Sequence, residues 1–198
     1  MAILLVSGSP QRSAILRQLQ IPFRVWVPDL NERSNGDPAA TVLHNSRLKA
    51  EAGRSNASPD EVVLGVDTLV AIDGKIYGKP SCRDDAATML RRLRGTTHHV
   101  VSGLTLCVDG VPHGLTSFTA VTFRDFSGAE LEAYLDSDDW NGRAGGYAIQ
   151  GGGAALVGAV EGDFYNVVGL PIAAFMDLIA ELGIRDRILA PGLAGAHG

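Results

Sequence analysis

The run Ile3-Leu4-Leu5-Val6 passes without a polar break into Ser7-Gly8-Ser9-Pro10, and Ile15, Leu16 and Leu19 then recur at helical spacing. The apolar run reads as a buried strand. Ser9 suits a helix N-cap, and Pro10 suits the first helical position, where its missing N–H is not needed. The chain must therefore open with a strand that turns tightly into a helix. Such a junction aims free backbone N–H groups at one point, which favours an anion, most often a phosphate. Arg12 falls in the first turn of that helix, where the helix dipole disfavours a cation unless an anion is close. An ordinary capped helix with a surface arginine also accounts for these residues taken alone. The Gly-x-x-x-x-Gly-Lys-Ser/Thr sequence of a P-loop does not occur in the chain.

Downstream, strands and helices first alternate and then strands pair. Pro22–Val27 reads as a strand and residues 28–38 as a polar loop. A helix starts at Asp37-Pro38, carries Val42, Leu43, Leu48 and Ala52 as its apolar stripe and stops at Gly53; Lys49 lies on it. Glu61–Ile72 is the strongest strand signal, interrupted by Asp67 and Thr68. Asp73-Gly74 is a hairpin turn into Lys75–Tyr77, which ends at Gly78-Lys79-Pro80. Asp84–Arg94 is a helix with Ala86, Met89, Leu90 and Leu93 inward. Thr96–Cys107 and Ser117–Phe123 alternate as antiparallel strands joined through Asp109-Gly110. Ser127 and Glu130 have capping-box spacing at the start of a helix over Gly128–Leu135. Asp138–Gly153 is a glycine-rich loop, Ala154–Val160 a short strand and Leu170–Leu182 the last helix. This order predicts a mixed sheet with flanking helices in one domain over residues 1–190, followed by a disordered tail, Pro191–Gly198.

Composition narrows the partners. Lys and Arg number 17 against 22 Asp and Glu, a net charge of −5 over 198 residues. That balance argues against a nucleic-acid surface, which needs a basic stripe. A small anionic substrate needs only a local cluster of cations. Residues 1–20 lack the basic and sustained apolar segments of a signal peptide, and Ala144–Val160 is too short and too rich in glycine for a membrane span. We therefore expect a cytoplasmic protein with no membrane partner. Cys82 and Cys107 form no metal-ligand spacing and read as reduced thiols. His98 and His99 are adjacent, so on a strand they point to opposite faces and cannot easily share a metal.

Asp67 draws attention without any further knowledge. A carboxylate in a Val/Leu strand must be hydrogen-bonded to backbone, bound to a metal, or kept as a general base. Lys79, held between Gly78 and Pro80, is an ammonium with little freedom, suited to a phosphate; a surface lysine in a turn is the plainer reading. Glu32 in the polar loop is uninformative alone. Gln150, beside Gly151-Gly152-Gly153, is an amide on a backbone that a ligand can approach closely, and amides read base edges by paired donor and acceptor bonds.

Taken together, Ser7-Gly8-Ser9-Pro10-x-Arg12, Asp29-Leu30-Asn31-Glu32, Leu48-Lys49-Ala50, Gly65-Val66-Asp67-Thr68, Gly78-Lys79-Pro80, Gly95-x-x-His98-x-Val100, Ala144-Gly145-Gly146-Tyr147-Ala148-Ile149-Gln150-Gly151 and Val168-Gly169-Leu170-Pro171 resemble, in order and over nearly the whole chain, the Maf proteins. The resemblance implies an α/β fold with an elongated mixed sheet, two lobes and a cleft between them, similar to the inosine triphosphate pyrophosphatases. It also implies hydrolysis of a nucleoside triphosphate to monophosphate and pyrophosphate with a divalent metal, Mg²⁺ or alternatively Mn²⁺, and a homodimer. Carried over by motif, Asp67, Glu32 and Lys79 are the catalytic residues: Asp67 is the proton acceptor, Glu32 helps to hold the metal or activates water, and Glu32 and Asp67 are the metal ligands. Ser9, Arg12, Lys49 and Lys79 hold the triphosphate.

Base choice is implied less evenly. Thr68 and Gln150 match family members that prefer dTTP and UTP, whereas those preferring 7-methyl-GTP carry glutamine and glutamate. Gln11 matches neither group, which have arginine and tryptophan there. Three readings stay open: a dTTP/UTP pyrophosphatase, one of broad or modified-base choice, and a nucleotide-binding regulator of cell division with little turnover. Exchange of Asp67 for asparagine is expected to leave stability unchanged or raised, since a buried charge is relieved.

Overall fold

The computed structural model describes residues 1–189; the tail expected at Pro191–Gly198 lies outside them. The elements are β1 (Ala2–Val6), α1 (Pro10–Gln18), β2 (Phe23–Trp26), α2 (Pro38–Gly53), β3 (Glu61–Ile72), β4 (Lys75–Tyr77), α3 (Arg83–Leu93), β5 (Thr97–Val108), β6 (Val111–Phe123), α4 (Gly128–Asp136), β7 (Val157–Glu161), α5 (Phe164–Val168), α6 (Ile172–Glu181) and α7 (Arg185–Ile188). The strands form one seven-stranded sheet in the order β2-β1-β3-β5-β6-β7, with β4 also paired to β3. β1 is parallel to β2 and β3, and the remaining pairs are antiparallel, so the sheet is mixed as expected. The predicted caps form: Ser9 accepts from Arg12 N, Asp37 accepts from Ala40 N, and Ser127 with Glu130 makes a complete capping box.

The long strand β3 organises the site. Its Glu61–Gly65 half pairs with β1, and its Val70–Ile72 end pairs with β4 on the same side. No strand among the described residues pairs with Val66–Leu69 on that side. The sheet is therefore notched, with β1 entering from one side and β4 returning from the other. The turn after β1 and the Gly78-Lys79-Pro80 turn after β4 both face this notch. Strand alternation then sorts β3 into two faces. Val62, Leu64 and Val66 pack with α1, α6 and α7 in one core, and Val70 and Ile72 pack with α3 and α4 in a second. Thr68 stands between the two cores, which are the two lobes. Asp67 points to the opposite face, towards α2.

Helix α2 corrects the expected stripe. It buries Thr41, Val42, Asn45, Ser46, Lys49, Ala50 and Gly53, while Leu43 is at the surface and Leu48 and Ala52 are half-buried. The reason is glycine in the sheet beneath it. A Cβ at Gly65 would lie 2.1 Å from the Ser46 carbonyl oxygen, and one at Gly103 would lie 2.1 Å from that of Val42. The helix backbone seats directly on β3 and β5, so small and polar residues face inward. Ser46 Oγ meets Thr105 Oγ1 at 2.9 Å in that contact.

Other boundaries also differ. β6 begins at Val111, not Ser117. Pro112 and Gly114 disguise its start, but β7 covers only Ala120–Phe123 of the outer edge, so proline is tolerated further back. β7 itself begins at Val157, because the glycine-rich segment before it curls into a 3-10 turn over Gly152–Leu156. The short helices α5 and α7 were not expected; each is too brief to show a periodic stripe. His98 and His99 do face opposite ways, His98 buried and His99 exposed, and both cysteines are free.

Candidate functional site

A cavity of about 810 Å³ opens at the notch. All nine residues singled out from the sequence line it: Ser9, Gln11, Arg12, Glu32, Lys49, Asp67, Thr68, Lys79 and Gln150. They come from the turn after β1 and the first turn of α1, the loop before α2, α2 itself, the stretch of β3 left unpaired at the notch, the turn after β4 and the glycine-rich segment. Its volume lies within the range of small-molecule sites, roughly 300–1,000 Å³.

At the centre, Lys49 Nζ bridges two carboxylates, Glu32 Oε2 at 2.6 Å and Asp67 Oδ1 at 3.0 Å, and donates to the Val66 carbonyl at 3.3 Å. Burial of Lys49 is possible because it is paired. The other oxygen of Asp67 accepts a 2.8 Å bond from Asn45 Nδ2. Asn45 also exchanges two bonds with the Arg33 backbone, accepting from N at 2.8 Å and donating to O at 2.9 Å. One buried amide thus fixes Asp67 and stitches down the loop that carries Glu32. The sequence reading missed Asn45. Its signal was available: it precedes Lys49 by one helical turn on the same face.

Arg12 is also buried, and its guanidinium is engaged internally. Nε donates to the Gly169 carbonyl at 2.8 Å, one terminal nitrogen to Ser7 Oγ at 2.7 Å, and the other to Thr68 Oγ1 at 3.1 Å. Burial lowers its pKa from the ordinary value, and the charges of Asp67 and Glu32 oppose that shift. Those carboxylates supply the negative field that a cation in the first turn of a helix needs. Thr68 Oγ1 additionally meets Ser102 Oγ at 2.8 Å and Gly169 O at 3.3 Å. Arg12 and Thr68 therefore join the two lobes at the floor of the cavity. Gln11 Oε1 accepts from Ser9 Oγ at 3.2 Å, so its amide folds back onto the cap. Lys79 and Gln150 are exposed at the rim.

The glycine-rich segment is held from below. Tyr147 OH shares a 2.9 Å hydrogen bond with His98 Nε2, Tyr134 OH accepts from Ala148 N at 3.2 Å, and Asp139 Oδ2 accepts from Gly152 N at 2.7 Å. His98 also meets the Phe123 ring edge-on at a centroid distance of 4.8 Å. Burial, with His99 adding to it, pushes the His98 pKa down to about 4. The unfolded chain takes that proton near pH 6.5, whereas the folded one resists it down to about pH 4. The stabilisation is therefore complete above about pH 6.5 and lost as pH falls, by about 3 kcal/mol once pH reaches about 4. Denaturant titrations of wild type and His98→Gln across this interval check it. The wild type is expected to lose stability more steeply, and parallel slopes would contradict the assignment.

Among the described residues no group of three or more His, Cys, Asp or Glu forms a metal cage. Glu32 and Asp67 are a pair of hard oxygen donors meeting at one cation. Such a pair fits Mg²⁺, which binds through one or two carboxylates and completes its shell with water and substrate phosphate.

A mixed α/β fold that gathers a capped helix N-terminus, a carboxylate pair and several cations around one cavity has the chemistry that suits a phosphate ester or phosphoanhydride. The chain belongs to the Maf family: the model of that family, described as Maf-like protein, matches residues 2–182. Its relatives include a protein named dTTP/UTP pyrophosphatase from Bacillus velezensis, 38% identical over 92% of this chain and 97% of that one. Proteins of the same name from Pyrococcus abyssi, 38% identical over 93% and 98%, and Latilactobacillus sakei, 41% identical over 86% and 94%, also match. No helix among the described residues is long and apolar enough to cross a membrane.

Proposed function

We propose that the chain hydrolyses nucleoside triphosphates, dTTP and UTP foremost, to the monophosphate and pyrophosphate. The observation that carries this reading is the meeting of Glu32, Lys49 and Asp67 in one cavity with the turn after β1 and Lys79. Asp67 is held in one orientation by Lys49 and Asn45, yet each of its oxygens keeps lone-pair capacity for the proton of an attacking water. Ser9, Lys49 and Lys79 orient the phosphates, with Arg12 fixing the floor beneath them. Glu32 and Asp67 would hold a divalent metal, Mg²⁺ first and Mn²⁺ second, which supplies charge neutralisation at the phosphate oxygens. The same reading places the protein in the cytoplasm as a homodimer.

Product analysis over a nucleotide panel with Mg²⁺ and Mn²⁺ tests the proposal. Pyrophosphate and monophosphate are expected; nucleoside diphosphate as the main product, or no turnover at all, would reject it. Gln11 makes base choice testable in the same assay. An arginine there cannot accept from Ser9 Oγ, so Gln11→Arg frees the cap hydroxyl and extends a guanidinium towards substrate. A sharper pyrimidine preference is expected. A uniform rise over dTTP, UTP, CTP, GTP and 7-methyl-GTP would place position 11 on phosphate instead, and a wild-type preference for 7-methyl-GTP would overturn the pyrimidine reading.

A further inference from the structure

We infer that Arg143 is a further substrate-binding residue, forming with Lys79 a two-cation clamp on the β- and γ-phosphates. The inference rests on the triphosphate reading above. The cations lining the cavity are of two kinds. Lys49 is paired with Glu32 and Asp67, and Arg12 is bound to Ser7, Thr68 and Gly169. Lys79 and Arg143 line the same cavity, and among the described residues neither has an ion pair or a side-chain hydrogen bond. Arg143 is half-buried, and its Nε is buried without a partner. With Nε enclosed, a ligand in the cavity would meet the two terminal nitrogens, which have no partner among the described residues.

The backbone holds these two cations to one rim. Gly145 N donates to Gly78 O at 2.9 Å, directly joining the turn that carries Lys79 to the segment that carries Arg143. Gly145 has φ +67° and lies so close to Val70 that a Cβ would be 2.8 Å from Val70 Cγ2, so the junction admits glycine alone. Arg143 is fixed on both sides: its N–H donates to Trp140 O at 3.2 Å, and its carbonyl accepts from Gly146 N at 3.0 Å. Trp140 is itself buried, donating Nε1 to Leu135 O at 3.0 Å.

The chemistry gives this rim a task. A water oxygen bonds to the α-phosphorus, its proton passes to Asp67, and the bond from that phosphorus to the β-bridging oxygen breaks. The electron pair stays on that oxygen and leaves with pyrophosphate. Glu32, Lys49 and Asp67 serve the attacking side. The departing side needs positive charge not already engaged by partners within the protein, and Lys79 with Arg143 provides it. A guanidinium fork matches two phosphate oxygens at once, while the ammonium takes a third as a point charge.

The test uses calorimetric binding, which does not depend on turnover, with inorganic tripolyphosphate and dTMP as separate probes at matched ionic strength. Arg143→Gln is expected to weaken tripolyphosphate binding by about tenfold or more while leaving dTMP within about twofold. Arg143→Lys keeps charge but loses the fork, so it should fall between the two. It also carries the test if the glutamine variant does not fold. Unchanged tripolyphosphate binding, equal losses for both probes, or no tripolyphosphate binding by the wild type would each overturn the clamp. Failure of the wild type to release pyrophosphate from any nucleotide would instead reject the proposed function, so the two failures are distinguishable.

Discussion

The Asp67→Asn protein is expected to turn over about 10²-fold more slowly or worse, the usual loss when a general base is removed. The substitution keeps size and strand geometry while removing the basic lone pair that receives the proton of water. The structure revises the accompanying expectation for stability. Asp67 accepts from two donors, Lys49 Nζ at 3.0 Å on one oxygen and Asn45 Nδ2 at 2.8 Å on the other. An asparagine has one acceptor and one donor end, so one of these contacts becomes donor against donor. Lys49 keeps Glu32 at 2.6 Å, so its charge is not stranded. A destabilisation of about 1–3 kcal/mol is therefore expected, in place of no change or a gain. Denaturant titration and kcat on dTTP measure the two effects separately. Near-normal turnover would remove Asp67 from the chemistry.

Gly65→Ala is expected to be among the most damaging substitutions outside the reacting groups. The added methyl would lie 2.1 Å from Ser46 O and 2.7 Å from Ala50 N. Both are backbone atoms in the middle of a helix, so no side-chain tip can swing aside. Helix α2 must lift from the sheet, at a cost of about 3 kcal/mol or more. The lift would also carry Asn45 and Lys49 away from Asp67, so turnover should fall even at temperatures where the protein remains folded. Gly128→Ala is the control, since nothing lies within 4 Å of a Cβ there. A Gly65→Ala protein as stable and as active as that control would show that α2 is not seated as described.

Much of the architecture is legible in the amino-acid sequence because it is decided locally. Ser9-Pro10, Asp37-Pro38 and Ser127 with Glu130 start their helices by satisfying backbone donors within a few residues of themselves. The Asp73-Gly74 and Asp109-Gly110 turns, the apolar run of β1 and the long β3 are likewise set by short-range chemistry. The candidate residues were legible as types in unusual places, such as an acid inside a strand and a lysine locked between glycine and proline. Their motifs place the chain in its family.

Only the tertiary structure decided that these residues share one cavity, because the notch beside β3 arises from where β1 and β4 each stop, opposite Gly65 and Val70. Only packing decided which face of α2 turns inward. Its apolar side chains pointed to one answer, and the clearance above Gly65 and Gly103 imposed another. That choice buried Asn45 beside Asp67 and left Leu43 at the surface. The sorting of cations also needed the fold, since the sequence does not show which of Arg12, Lys49, Lys79 and Arg143 are already engaged within the protein. Burial and internal partners commit the first two, carboxylates for Lys49 and neutral oxygens for Arg12, and a single backbone bond from Gly145 to Gly78 brings the other two together. Each of these outcomes depends on atoms distant in the chain meeting in space, which no local preference encodes.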